Sequence, residues 1–95
     1  MGQIQGTDAE HPASGVAAVS GHELSFANTM ITEAPDAQVW LTKKFDKPNG
    51  VNLGSLKSFN SDQSYTIPES VAPQNFDSVV IWCDEFSVPI AKAEL

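Results

Sequence analysis

The sequence predicts an all-β fold: an antiparallel β-sandwich or barrel of short strands, with little or no helix. Three observations predict it. Apolar residues come in short runs rich in β-branched and aromatic types, Gly, Pro, Asn and Asp punctuate the chain between those runs, and no stretch carries an i, i+3, i+4, i+7 apolar face.

The elements follow in order. Residues 1–10 are polar and without period, so they read as a flexible lead-in to a single domain over 11–95. Val16 to Val19, then Leu24 and Phe26 alternating with Glu23 and Ser25, flank Ser20-Gly21-His22 and predict a β-hairpin. Asn28 to Ala37 is interrupted by Pro35 and reads as a connection. Val39, Trp40 and Leu41 form the next strand, which dissolves into Lys43 to Asn49, and Pro48-Asn49-Gly50 marks a turn. Val51, Leu53 and Leu56 suit a short strand, with Gly54 marking a bulge or a close backbone approach. Ser64 to Ile67 is another short strand stopped by Pro68, and Pro68 to Asn75 crosses the surface. Phe76, Val79 to Cys83, Phe86, Val88 and Ile90 form a near-continuous apolar run, suited to a central strand covered on both faces. Ala91 to Leu95 is at most one fraying helical turn.

Composition removes several function classes. Ninety-five residues support one modest core, without a deep substrate cavity beside it. Twelve carboxylates face five lysines, no arginine is present and the formal charge is −7, which argues against nucleic acid and anionic membranes as partners. Lys43, Lys44 and Lys47 are interrupted by Asp46 and read as a solvated strand end. No apolar run is long enough to cross a bilayer, so this segment is not expected to insert. The start, Met1-Gly2-Gln3, has no basic and apolar leader, as expected equally of a cytosolic protein and of a domain excised from an exported one. One cysteine cannot close an intrachain disulfide.

That cysteine, Cys83, is the first candidate for chemistry. In a strand it shares a face with Val79 and Ile81, while Val80 and Trp82 point the other way. An inert core thiol and a redox centre both fit this position. Asp84 and Glu85 follow at once, and neighbouring anions disfavour a thiolate nucleophile. Cys83, His11, His22 and Met30 are the ligand types of a mononuclear copper site, but such sites gather Cys, His and Met in one short C-terminal loop, and none follows Asp84. No Gly-x-Ser-x-Gly elbow is present, and Asp84 and Glu85 on a strand would aim at opposite faces rather than at one bond. No catalytic constellation emerges, and the chain is not expected to be an enzyme. Trp40, Tyr65 and Trp82 suit either a carbohydrate-stacking platform or ordinary packing, and packing is the commoner use of aromatics in a small domain.

Several pieces taken together resemble the DM13 domain family, a small β module described as an electron-transfer domain. They are His11-x-x-Ser14-Gly15, Leu24-x-Phe26-x-Asn28, Ala34-Pro35-Asp36-Ala37-x-Val39-x-Leu41, Val51-x-Leu53-Gly54-x-Leu56-Lys57 and Gln63-x-Tyr65-x-Ile67-Pro68. Val79-Val80-Ile81-Trp82-Cys83-x-x-Phe86-x-Val88 and Ala93-x-Leu95 complete the pattern, while Pro89 and Ile90 depart from the longer or aromatic residues often found there. The resemblance implies an extracytoplasmic module, secreted, periplasmic or at a cell surface, with Cys83 as the redox candidate and Trp82, Asp84 and His11 as its neighbours. An isolated thiol is a poor reversible one-electron carrier, so the implied role needs a haem, a copper ion or a thiol brought by a redox partner protein or domain. No metal ligand set is assigned within the chain. The alternative is a noncatalytic extracellular binding or adhesion module for a protein or carbohydrate.

Overall fold

The computed structural model describes residues 1–7 and 10–95, and the chain is all-β as expected. Eight strands form it: β1 (Gly2–Gly6), β2 (Ala13–Ser20), β3 (Glu23–Ile31), β4 (Ala37–Thr42), β5 (Val51–Ser55), β6 (Gln63–Thr66), β7 (Ser78–Cys83) and β8 (Val88–Glu94). The helical content among the described residues is two 3-10 turns, Lys47–Asn49 and Pro73–Asn75. Every paired neighbour is antiparallel, in the order β5-β4-β7-β8-β1-β2-β3-β6, and the sheet curls into a nearly closed barrel.

The lead-in expectation fails for Gly2–Gly6. This segment is β1, inserted between β8 and β2: Gly2 and Gln3 pair with Ala17 and Val16, and Ile4 to Gly6 pair with Ala93 to Ala91. Its one large apolar side chain, Ile4, is buried while its glutamines are not, too short an alternation to be visible in sequence. Close backbone approach explains its glycine at position 6, where a Cβ would fall 1.9 Å from the carbonyl oxygen of His11. Asp8 and Ala9, also in the expected lead-in, lie outside the described residues.

Three other expectations change. The Asn28–Ala37 connection begins later, because β3 continues through Ile31 past a register shift where Gly15 (φ 131°) faces Asn28 (φ 55°). The long C-terminal apolar run is two strands, since Asp84 to Ser87 fold back and pair β8 with β7. Residues 91–94 therefore belong to β8, not to a helical turn. The bulge expected at Gly54 is present: Val39 pairs with Gly54 and Trp40 with Asn52, leaving Leu53 unpaired.

The barrel interior is filled by one side of each strand. Ala17, Leu24, Phe26, Val39, Leu41, Tyr65, Val79, Ile81 and Cys83 all belong to this core, and Ile67 and Ile90 extend it. No ladder joins β5 to β6. Side chains of β6 instead hold the connection between them: the Lys57 amide donates to Tyr65 Oη (2.8 Å) and to Gln63 Oε1 (3.2 Å), and Gln63 Nε2 donates to the carbonyls of Ser58 (2.8 Å) and Ser61 (2.9 Å).

Candidate functional site

Because every neighbouring pair is antiparallel, four connections emerge at one end of the barrel: β1–β2, β3–β4, β5–β6 and β7–β8. Cys83 closes β7 at that end. Its side chain points inward with Val79 and Ile81, as the strand alternation predicts, and is 1% exposed. The ladder sets Ala37 on one side of it and Val88 on the other. Its Sγ donates a hydrogen bond to the carbonyl oxygen of Pro35 at 3.1 Å, so the thiol proton already has an acceptor inside the wall. The Asp84 amide donates to the Asp36 carbonyl (3.1 Å), tying the β7–β8 turn to the β3–β4 connection directly over the sulfur.

The residues expected around Cys83 take different places. Trp82 lies on the outer surface of the wall, paired with Gln38 and Pro89. Asp84 is exposed in the turn. His11 sits in the β1–β2 connection, at the same end as Cys83, with its backbone carbonyl against Gly6. His22 occupies the β2–β3 turn at the opposite end, where its Nδ1 lies 3.3 Å from the Ile67 carbonyl and its Nε2 3.8 Å from Glu69. Met30 points outward from β3. The four candidate copper ligands are thus spread over both ends and both faces of the barrel. Among the described residues no group of three or more His, Cys, Asp or Glu side chains could hold a metal ion.

The aromatic residues divide between the two uses weighed for them. Tyr65 is core, 3% exposed, packed against Phe26 at 5.5 Å between ring centroids. Burial pushes its hydroxyl above the ordinary tyrosine range, and the hydrogen bond from the Lys57 amide pulls it back in part. Trp40 and Trp82 instead share the outer face of β4 and β7, where Lys47 Nζ lies over both rings at 4.6 and 4.7 Å. Val80 lies between their strands' outward positions and is buried there although it is not part of the interior core. The apolar outer face of β7 is what made its sequence run continuous.

Sequence reasoning missed the Pro35 carbonyl, because no local pattern links residues 35 and 83. It also missed the exposed apolar edge of the same hairpin: Phe86 is 65% exposed and Val88, opposite Cys83 in the ladder, is 39% exposed. Exposed carboxylates populate the connections of this end: Asp84 and Glu85 in the same turn, Glu33 and Asp36 in the β3–β4 connection, and Asp62 in the β5–β6 connection. Lys57, the lysine at this end among the described residues, has its ammonium engaged by the Ser64 carbonyl and the Tyr65 ring. Lys43, Lys44 and Lys47 lie in the β4–β5 connection at the other end.

No curated protein and no solved structure gives a match to the chain. The family model described as electron transfer DM13 matches residues 6–95, nearly the whole chain, which agrees with the pieces noted in the sequence. With that match and the eight-stranded barrel that carries it, this chain belongs to the DM13 family.

Proposed function

We propose that the chain is an electron-transfer accessory module working outside the cytoplasm, with Cys83 as its redox group and with the haem, copper ion or second thiol supplied by a partner. The observation that carries this reading is the match to a family described by electron transfer. The place of the thiol supports the choice of Cys83: it is the chain's one cysteine, and it lies one residue in from a connection rather than at the middle of the barrel. Its neighbours inside the wall are Val79, Ile81 and a carbonyl acceptor, a setting that holds the sulfur as a hydrogen-bonded thiol. The module's own contribution is to hold the thiol dry and fixed until a partner meets the hairpin that covers it.

The test is protein-film voltammetry on freshly purified wild type and Cys83→Ser, with an optical scan and metal analysis of the same material. Wild type alone should be colourless and silent, and a current dependent on Cys83 should arise when a haem- or copper-bearing partner is added. Identical currents from Cys83→Ser would remove Cys83 from the role. A colourless protein that binds a partner and never passes charge would instead favour the noncatalytic binding module. Location is tested by fractionating the source: the full-length protein should be found outside the cytosol, and an intact native chain starting at Met1 inside it would contradict the reading.

A further inference from the structure

We infer that the edge formed by Phe86 and Val88 is a docking face for a protein whose own apolar patch is ringed by Lys or Arg. The inference rests on the electron-transfer reading only for the purpose of docking; the contact itself is argued from the surface. Large apolar side chains are left in solvent at a cost, and here two exposed ones lie two residues apart at one hairpin, ready to be covered by a partner. Phe86 sits in the Asp84–Ser87 turn and is 65% exposed, and Val88, two residues on at the start of β8, is 39% exposed.

Charge selects the partner. The Asp84 amide donates to the Asp36 carbonyl, so the two connections that carry the exposed carboxylates of Asp36, Asp84 and Glu85 meet at the base of this turn. A partner with an acidic rim would be repelled there, and a neutral one would leave these charges uncompensated as water is excluded. A basic rim around an apolar centre complements both features. The position also fits a role: Val88 is the direct ladder neighbour of Cys83, so a partner seated on this edge is separated from the thiol by one strand of the wall.

The probe is oxidised cytochrome c, a small haem protein with a lysine-rich surface, titrated by calorimetry at low and moderate salt. Two triple variants carry the same change in net charge. Asp36→Asn with Asp84→Asn and Glu85→Gln neutralises the rim, and Glu23→Gln with Glu69→Gln and Glu94→Gln neutralises carboxylates away from it. Both are checked for unchanged urea midpoints. The rim triple should weaken binding by about tenfold or more and flatten its salt dependence, while the distant triple should leave affinity within about twofold. Phe86→Ser should weaken binding several-fold with the salt dependence retained. Equal weakening by both triples would show attraction to net charge alone and overturn the assignment, as would Phe86→Ser binding like wild type. Binding carries no electron, so a docked complex that fails to pass charge would sink the redox reading while leaving the docking face standing.

Discussion

At the scale of single residues, Cys83 and Tyr65 are both read by a unique signal, because the chain has one cysteine and one tyrosine. Cys83 is walled in and its proton engaged, so a thiol reagent at neutral pH should label native protein slowly and denatured protein fast. Rapid stoichiometric labelling of the native state would mean that the Asp84–Ser87 turn opens readily. Tyr65 titrates above the ordinary range because burial opposes its charged form. Its contribution to stability is therefore complete below the unfolded tyrosine value of about 10 and is lost as pH rises from there through the higher folded value. Ultraviolet titration should show tyrosinate forming at higher pH in folded than in unfolded protein. Tyr65→Phe should remove that alkaline loss, and at neutral pH should cost about 1 kcal/mol through the acceptor withdrawn from the Lys57 amide.

At the scale of elements, β1 and the β4–β5 connection make the sharpest claims. If β1 is integral to the barrel, Ile4→Ala should cost about 2 to 5 kcal/mol in urea unfolding, as for other buried large-to-small changes. A cost near zero would return residues 2–6 to a lead-in. The β4–β5 connection holds Lys44 and Phe45 at positive φ, and the start of β7 and the residue before it supply their acceptors: Lys44 N donates to Asp77 Oδ1 (2.7 Å) and Phe45 N to Ser78 Oγ (3.0 Å). The hydrogen bond from the Lys44 amide holds the Asp77 carboxyl below its ordinary value against desolvation, with smaller help from a Ser78 hydrogen bond and the charges of Lys43 and Lys44. A depressed carboxylate contributes its stability above the unfolded value of about 3.9 and loses it as pH falls through the folded one. Asp77→Asn should accordingly melt lower than wild type at neutral pH, and the gap should close as the pH falls through the depressed folded value of Asp77.

At the scale of the whole molecule, a charge of −7 is unevenly placed, with carboxylates crowding the Cys83 end and three lysines gathered in one connection at the other. Like charges on one end repel in the folded state, and added salt screens them over a Debye length of about 10 Å at 0.1 M. Calorimetric Tm should therefore rise between low salt and about 0.3 M sodium chloride. A Tm that falls would mean that the ion pairs and cation–π contacts of the lysine end outweigh the repulsion. The same asymmetry orients the molecule toward a basic partner, so one distribution of charge sets both a modest instability and a direction of approach.

The sequence by itself determined the fold class, most of the strands and the inward face of Cys83. Those are local matters: a period of two, turn residues between runs, and the rule that alternate side chains share a face decide them within a few residues. It could not separate β7 from β8, because Val80 and Trp82 are apolar on the outer face and blur the alternation that would have marked a strand end. Nor could it place β1, whose pairing depends on residues 16–17 and 91–93 and whose own pattern holds one buried apolar side chain. Only the folded chain shows that His22 and Cys83 lie at opposite ends, that the Pro35 carbonyl accepts a hydrogen bond from the thiol, and that the backbones of Asp36 and Asp84 join two connections. Each of these is a contact between distant segments, created when the sheet curls and its connections converge, and chain order carries no local physical signal for it.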